Sequence, residues 1–281
     1  MMTWKNVNGS AVSEENLLEL AKEEVRQRIA DTQKRHRANL CTMIYGEAKS
    51  GKSGLALDSR TTQQLDNDCL VMVLDFDNGS EPTWRQNWNS DSNIMILNPV
   101  VRDKEGYPVL EDTTRLAEAF IVIAKDNINE GKEVKFIFDG VDRWLRICWA
   151  AMGVDKRANE VKQPGIAWGK RNKHYEDLIE KVTDGLECDR FFITHMKEVF
   201  ANVANPTPTG KVPNCRTQTM DKMNQVIEVS RFDVGNKATH TATLRGSKTN
   251  TELVNHTWTF LTIEDGKVEW DSIKELQEGT L

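Results

Sequence analysis

The sequence predicts an α/β fold, a mostly parallel sheet flanked by helices and extended on its C-terminal side by antiparallel strands. Three observations predict it. Short apolar runs alternate with segments of helical periodicity from residue 40 to residue 194. The octet GEAKSGKS, Gly46–Ser53, stands between the first such run and a helical pattern. Beyond His195 the pattern changes: a long polar stretch is followed by strand-like runs.

Taken in order, residues 13–37 read as a helix, with Ser13 as a candidate N-cap and Leu18, Ala21, Val25 and Ile29 recurring at helical spacing. Such a helix packs on its own domain or docks on a neighbouring subunit. Leu40–Tyr45 reads as a buried strand and Lys52–Gln63 as the helix after it. Leu70–Leu74 and Ile94–Leu97 are strands, Thr114–Lys125 a helix, Val134–Phe138 a strand. Asp142–Met152 and Trp168–Val182 are helical, and Arg190–Thr194 closes the series as a strand. Ala201–Thr219 holds three of the seven prolines and no periodicity, which predicts a long loop. Gln225–Val229, His240–Leu244 and Thr257–Ile263 read as strands, and EDGK at Glu264–Lys267 as a hairpin turn into Val268–Trp270. The expected organisation is a helical extension over residues 1–38 and one domain over 39–281.

Composition narrows the function classes. No run of about 18 apolar residues is present, so no membrane span is expected. The N-terminus has no charged-then-apolar pattern of a secretory signal. Five scattered cysteines without a CxxC pair fit reduced thiols in a cytoplasm, and zinc is not expected. The net charge of −6 argues against indiscriminate nucleic-acid binding. Residues 190–250, however, hold nine Lys/Arg against four Asp/Glu. That stretch is either a nucleic-acid surface or simply solvated charge.

The octet matches G-x-x-x-x-G-K-[ST] in full. Its physical logic is a cradle: Gly46 and Gly51 allow backbone angles and close approach that a Cβ forbids. The amides of Glu47, Ala48, Lys49, Ser50, Gly51, Lys52 and Ser53 can then converge on a β-phosphate at a helix N-terminus. Lys52 would bridge the β- and γ-phosphates and the Ser53 hydroxyl would ligate Mg²⁺. No guanine-reading NKxD motif accompanies the octet, which favours ATP. A metal-side acid is expected at the end of a neighbouring strand, and VKFIFDG offers Asp139. The other reading of Asp139 is a helix cap, a task for which Asp142 is better placed.

Hydrolysis also needs a group to orient or deprotonate water. Gly140 follows Asp139, so the acid–glutamate doublet of many ATPases is missing. LDFDNG places Asp75 and Asp77 at the end of the strand after the cradle helix; Asp77 is the freer of the two, and Asp75 reads as structural. Both are also ordinary turn residues in a DNG context. His195, at the end of RFFITH, is either a group that senses the γ-phosphate or a satisfied core histidine.

The order of these motifs, a cradle, LDFD, Asp139 and FFITH before a polar stretch, resembles the RecA-like ATPases over about residues 39–250. The likeness is strongest to their phage and archaeal-virus type, which includes recombination and single-strand-annealing-associated ATPases. The resemblance implies a Mg²⁺-dependent ATPase in DNA recombination, repair or replication, in the cytoplasm (the host's, if viral). The water-activating acid would fall on Asp77, where such proteins usually carry Glu, and the strand-end sensor on His195. The segment 197–219 would contact single-stranded DNA, for which it offers Lys211 and Arg216. The resemblance also implies a homo-oligomeric ring or filament with ATP between subunits. Arg245 and Lys248 would then be the basic residues lent by a neighbour, or else ordinary surface charge. A nucleotide-gated regulator or scaffold with slow hydrolysis and no DNA contact is the rival reading. A small-molecule kinase with Val154–Gly165 as a lid is the third, and no arginine cluster accompanies it.

Overall fold

The computed structural model describes residues 14–34, 39–151, 164–200 and 208–281. The proposed Ser13 cap, most of the 154–165 lid and the start of the 201–219 loop lie outside them. The chain divides into two compact units, Met1–Ala38 and Asn39–Leu281. In the first, α1 (Glu14–Lys34) carries Glu19–Lys22 and Glu23–Arg26 ion pairs one turn apart.

The second unit is built on one twisted sheet with the mostly parallel, helix-flanked architecture and C-terminal antiparallel strands expected from the sequence. β1 (Cys41–Gly46) is followed by α2 (Lys52–Leu57), α3 (Thr62–Asp66), β2 (Leu70–Asp75), α4 (Ser80–Asn87) and β3 (Ile94–Leu97). Next come α5 (Leu110–Asn129), β4 (Val134–Asp139), α6 (Val141–Ala151), α7 (Pro164–Thr183) and β5 (Asp189–Phe200). β6 (Pro208–Pro213), α8 (Thr217–Asp221), β7 (Gln225–Val234), β8 (Lys237–Ser247), β9 (Thr257–Glu264), β10 (Lys267–Trp270) and α9 (Lys274–Glu278) complete it.

Across the sheet the order is β10-β9-β8-β7-β1-β5-β4-β2-β3. β7, β1, β5, β4, β2 and β3 run parallel, and β8 to β10 antiparallel. β5 therefore lies between the cradle strand β1 and the Asp139 strand β4. Central strands buried on both faces explain the continuous apolar runs: every residue of β1 and β4 is buried. One face packs Phe136, Phe138, Trp144, Tyr175 and Phe192 against α5, α6 and α7. The other packs Ile44, Leu55, Ile137, Phe191, Leu244 and Phe260 under α2 and α9. All five cysteines are buried in this unit, and desolvation pushes the Cys41 thiol up to about 11.

Three expectations are corrected. The helix expected over Lys52–Gln63 stops at Leu57, and Thr61 starts a second one. The Thr61 hydroxyl accepts from Gln64 N–H while the Gln64 side chain accepts from Thr61 N–H, a capping box inside the run read as one helix. The 201–219 segment is not a structureless loop in its described part. Residues 208–213 form β6, paired antiparallel with β5 from Met196↔Pro213 to Phe200↔Pro208, and Thr217–Asp221 is helical. Pro208 and Pro213 sit at the two ends of this edge strand, where proline is tolerated, so their presence masked it. Third, Asp142 is not spent on capping α6; its carboxylate turns to β5, as described below.

Among the described residues no helix is long and apolar enough to cross a membrane.

Candidate active site

The cradle forms where β1 ends and α2 begins. Lys49 (φ 63°) and Gly51 (φ 96°) both take left-handed backbone angles, and Gly51 is the residue that opens α2. A Cβ at Gly46 would lie 2.3 Å from the Val229 carbonyl oxygen on β7, which explains why this position carries glycine. The first N–H groups of α2 have no intrahelical acceptor and face the turn. The Ser50 carbonyl accepts from His240 Nδ1 on β8 at 2.7 Å, so the antiparallel extension holds the loop from behind. That bond makes Nδ1 the protonated nitrogen, and burial lowers the basicity of the ring.

A cavity of about 370 Å³ opens over this turn, bordered by Lys52, Ser53, Asp77, Asp139, Asp142, Thr194 and His195. Its far wall comes from β8 to β10, with His240, Leu261 and Trp270. The Ser53 hydroxyl donates to Asp139 Oδ2 at 2.7 Å, and the Ser80 hydroxyl donates to the same oxygen at 2.6 Å. Asp139 is buried and its carboxyl is pushed above the usual range, first by burial and then by the negative charge of Asp75, its register partner on β2. Lys52 is also buried. Its ammonium donates to the carbonyls of Glu47 (2.6 Å) and Gly46 (3.2 Å), and burial lowers its pKa.

These features fit a Mg²⁺–polyphosphate ligand on structural grounds. A Cβ at position 46 would also lie 2.8 Å from Ser50 Oγ, so this turn packs against β7 only with glycine there. Ser50 Oγ and His240 Nε2 are buried beside it with no hydrogen-bond partner. A hydroxyl and a carboxylate in contact are hard oxygen donors suited to Mg²⁺, which takes few protein ligands and completes its shell with phosphate and water.

Asp75 and Asp77 differ in their surroundings. Asp75 is buried and accepts from the N–H groups of Asp77 (3.1 Å), Gly79 (3.3 Å) and Ser80 (2.9 Å), closing the turn into α4. The Asp77 side chain remains over a third exposed at the cavity. His195 lies across from it: Nε2 is 3.9 Å from Asp77 Oδ2, and Nδ1 is 3.3 Å from both oxygens of Asp142. The site thus brings together Gly46–Ser53, Asp139, Asp77 and His195.

It does not bring Arg245 or Lys248. β8 runs down the sheet away from the cradle, as Val229↔Ala242 and Gln225↔Ser247 show, and Lys248 lies past its lower end. Arg245 pairs with Glu228 at 2.6 Å, and Lys248 Nζ donates to the Asp221 carbonyl. In the 197–219 segment Lys211 pairs with Glu47 of the cradle, Arg216 with Glu176 (3.0 Å), and Lys197 Nζ donates to the Cys215 carbonyl.

Sequence reasoning missed Ser80, the role of Asp142, and His240. Ser80 was detectable as a helix-starting residue directly after LDFDNG. His240 carries no local signal, because its partner is 190 residues away.

No protein-family model matches the chain, and no curated protein matches it by sequence. Solved structures similar to it include a RadB recombinase, at 14% identity and TM-score 0.47, covering 82% of this chain and 90% of that one. A KaiC-like protein from the hyperthermophilic archaeon Pyrococcus horikoshii OT3 is similar at 8% identity and TM-score 0.42, covering 82% and 88%.

Proposed function

We propose that this protein is a Mg²⁺-dependent ATPase of the RecA-like kind, working as a homo-oligomeric ring or filament on DNA in recombination, repair or replication. One observation carries the ATPase reading: the cradle hydroxyl of Ser53 and the strand-end carboxylate of Asp139 meet at 2.7 Å beside a buried lysine. In a P-loop site these are the hydroxyl and the acid on the metal side.

In this reading Lys52 exchanges its two backbone carbonyls for phosphate oxygens, and the cradle amides from Glu47 to Ser53 take the β-phosphate. Ser53 and Asp139 hold Mg²⁺, which would neutralise charge developing on the transferring phosphoryl group. Asp77 orients the attacking water. His195 stands where loss of the γ-phosphate can be relayed along β5 into residues 197–219. Single-stranded DNA contact is assigned to that segment on the resemblance, and the ion pair of its Lys211 with Glu47 links the segment to the cradle. Arg245 and Lys248, away from their own cradle, are the basic residues offered to a neighbouring subunit. Residues 1–38 would be a helical extension to the ATPase domain 39–281.

A second reading, a nucleotide-gated regulator or scaffold with slow hydrolysis, draws on the short Asp77 side chain where the resemblance expects Glu. ATP turnover with and without Mg²⁺, single-stranded and duplex DNA, together with mass measurement in each nucleotide state, separates the two. A salt-sensitive rise in turnover with single-stranded DNA and a nucleotide-dependent mass support the first. Turnover that ignores DNA, with no change in anisotropy of a labelled oligonucleotide, defeats it. A Lys52→Ala variant that hydrolyses ATP like the parent defeats the cradle assignment itself.

A further inference from the structure

We propose that Asp142 is a positioning residue that fixes the His195 ring so that Nε2, beside Asp77, receives the proton of the attacking water. This inference rests on the ATPase reading above and extends it to residues outside the phosphate cradle.

The geometry comes from three elements meeting at the cavity. Asp142, in the first turn of α6, is nearly sealed, with its side chain 6% exposed. Its Oδ1 faces His195 N–H, the Thr194 hydroxyl and His195 Nδ1, each at 3.3 Å. A buried carboxylate presented to Nδ1 selects the tautomer with hydrogen on that nitrogen, leaving the Nε2 lone pair free. Nε2 then looks toward Asp77, whose Oδ2 is 3.9 Å away. At ordinary hydrogen-bond lengths of about 2.8 Å, one water can touch both atoms at once. A carboxylate with one methylene fewer than Glu is thereby supplemented by a ring that covers the missing reach.

The chemistry balances without a co-reactant other than ATP and water. The water oxygen forms a bond to the γ-phosphorus as the bond from that phosphorus to the β–γ bridging oxygen breaks. The electron pair of that bond leaves with ADP. The water proton passes to Nε2, and the resulting imidazolium lies between the carboxylates of Asp142 and Asp77. It returns the proton to solvent or to phosphate as products depart.

Other charged groups face the ring. The Asp142 hydrogen bond raises the His195 pKa, against burial and the positive charge of Lys52. The Asp142 carboxyl, despite burial, is held below its usual range by His195 and then Arg146, whose Nη2 is 4.0 Å away. On the other side of His195, Glu47, Lys197, Glu198 and Lys211 border a shallow recess, with Glu47 and Lys211 paired to each other.

The test uses the full-length protein with ¹⁵N-labelled histidine and its Asp142→Asn and His195→Gln variants. In nucleotide-free parent protein, ¹⁵N NMR should show His195 protonated on Nδ1 with a raised pKa, and Asp142→Asn should lower that pKa. With Mg-ATP, His195→Gln should lose about 100-fold or more in kcat, and Asp142→Asn at least about 10-fold. Affinity for a fluorescent ATP analogue should stay within about twofold in both. Because the base must be neutral, turnover rises with pH through the His195 pKa. Asp142→Asn should therefore move that acid limb to lower pH while lowering the plateau. An Nε2-protonated ring, an unmoved limb, or an unchanged kcat in Asp142→Asn overturns the proposal. A parent protein that binds ATP yet turns none over overturns the ATPase reading and the proton transfer, while the NMR result still decides whether Asp142 positions the ring.

Discussion

Lys135 and Lys52 are both buried in the sheet unit, one near the start of β4 and the other at the first residue of α2, and their surroundings differ. Lys135 is completed by protein. Its ammonium donates to the carbonyls of Ser59 and Gln277 and faces Asp189 at 3.7 Å, and Asp189 in turn accepts from Leu40 N–H. Lys52 rests on two carbonyls of its own loop, beside an unpartnered Ser50 hydroxyl and an Asp139 whose carboxyl is pushed upward. A buried charge with its hydrogen bonds and counter-charge in place holds the fold together. A buried charge with carboxylates nearby but unmet prepares a place for a ligand.

The sharpest way to break this comparison is to remove each ammonium. Lys135→Ala removes the cation that faces the buried Asp189 and should cost about 3–5 kcal/mol of stability by urea unfolding. Lys52→Ala should lower ATP turnover by about 100-fold or more with little change in the unfolding midpoint. If Lys52→Ala destabilises more than Lys135→Ala, the distinction is wrong.

Gly54→Ala probes the wall of the site. Its Cβ would lie 2.4 Å from Trp270 Cη2, a ring that also packs on Trp88 at 5.0 Å. Overpacking should cost about 1–3 kcal/mol, and Trp270→Ala in the same chain should remove most of that increment in a double-mutant cycle. At the Lys135 end, Thr61→Ala deletes the capping box next to Ser59 and should cost about 1 kcal/mol, with turnover unchanged. The smallest effect is that of pH on the His195–Asp142 pair. His195 has a raised folded pKa, so its stabilisation is complete below the unfolded value of about 6.5. It is lost as pH rises through the folded pKa. With the ring a third exposed, the swing should stay within about 1 kcal/mol. Urea titrations across that range should show it in the parent and not in Asp142→Asn.

Legibility in the sequence followed the range of the forces involved. GEAKSGKS was readable because a glycine-bounded turn between strand and helix is made of consecutive backbone, and the strands β1, β2, β4 and β5 because doubly covered strands carry short apolar runs. The Asp265–Gly266 turn was readable for the same local reason: both residues take positive φ, as a two-residue hairpin requires. β6 was not readable, because its six residues, PTGKVP, become a strand only by pairing with β5. The break after Leu57 was hidden by continued helix-compatible composition, although Thr61 and Gln64 carried the capping signature.

The amino-acid order by itself determined the cradle, the strand-end position of Asp139 and the alternation that builds a parallel sheet, since each depends on neighbours within a few residues. Only the tertiary structure decided that Asp142 faces His195, that Ser80 shares Asp139 with Ser53, and that His240 supports Ser50. Those contacts join residues 53 to 190 positions apart. Hydrogen bonds of that kind are selected by which strand ends the sheet order brings side by side, and no local pattern records that order.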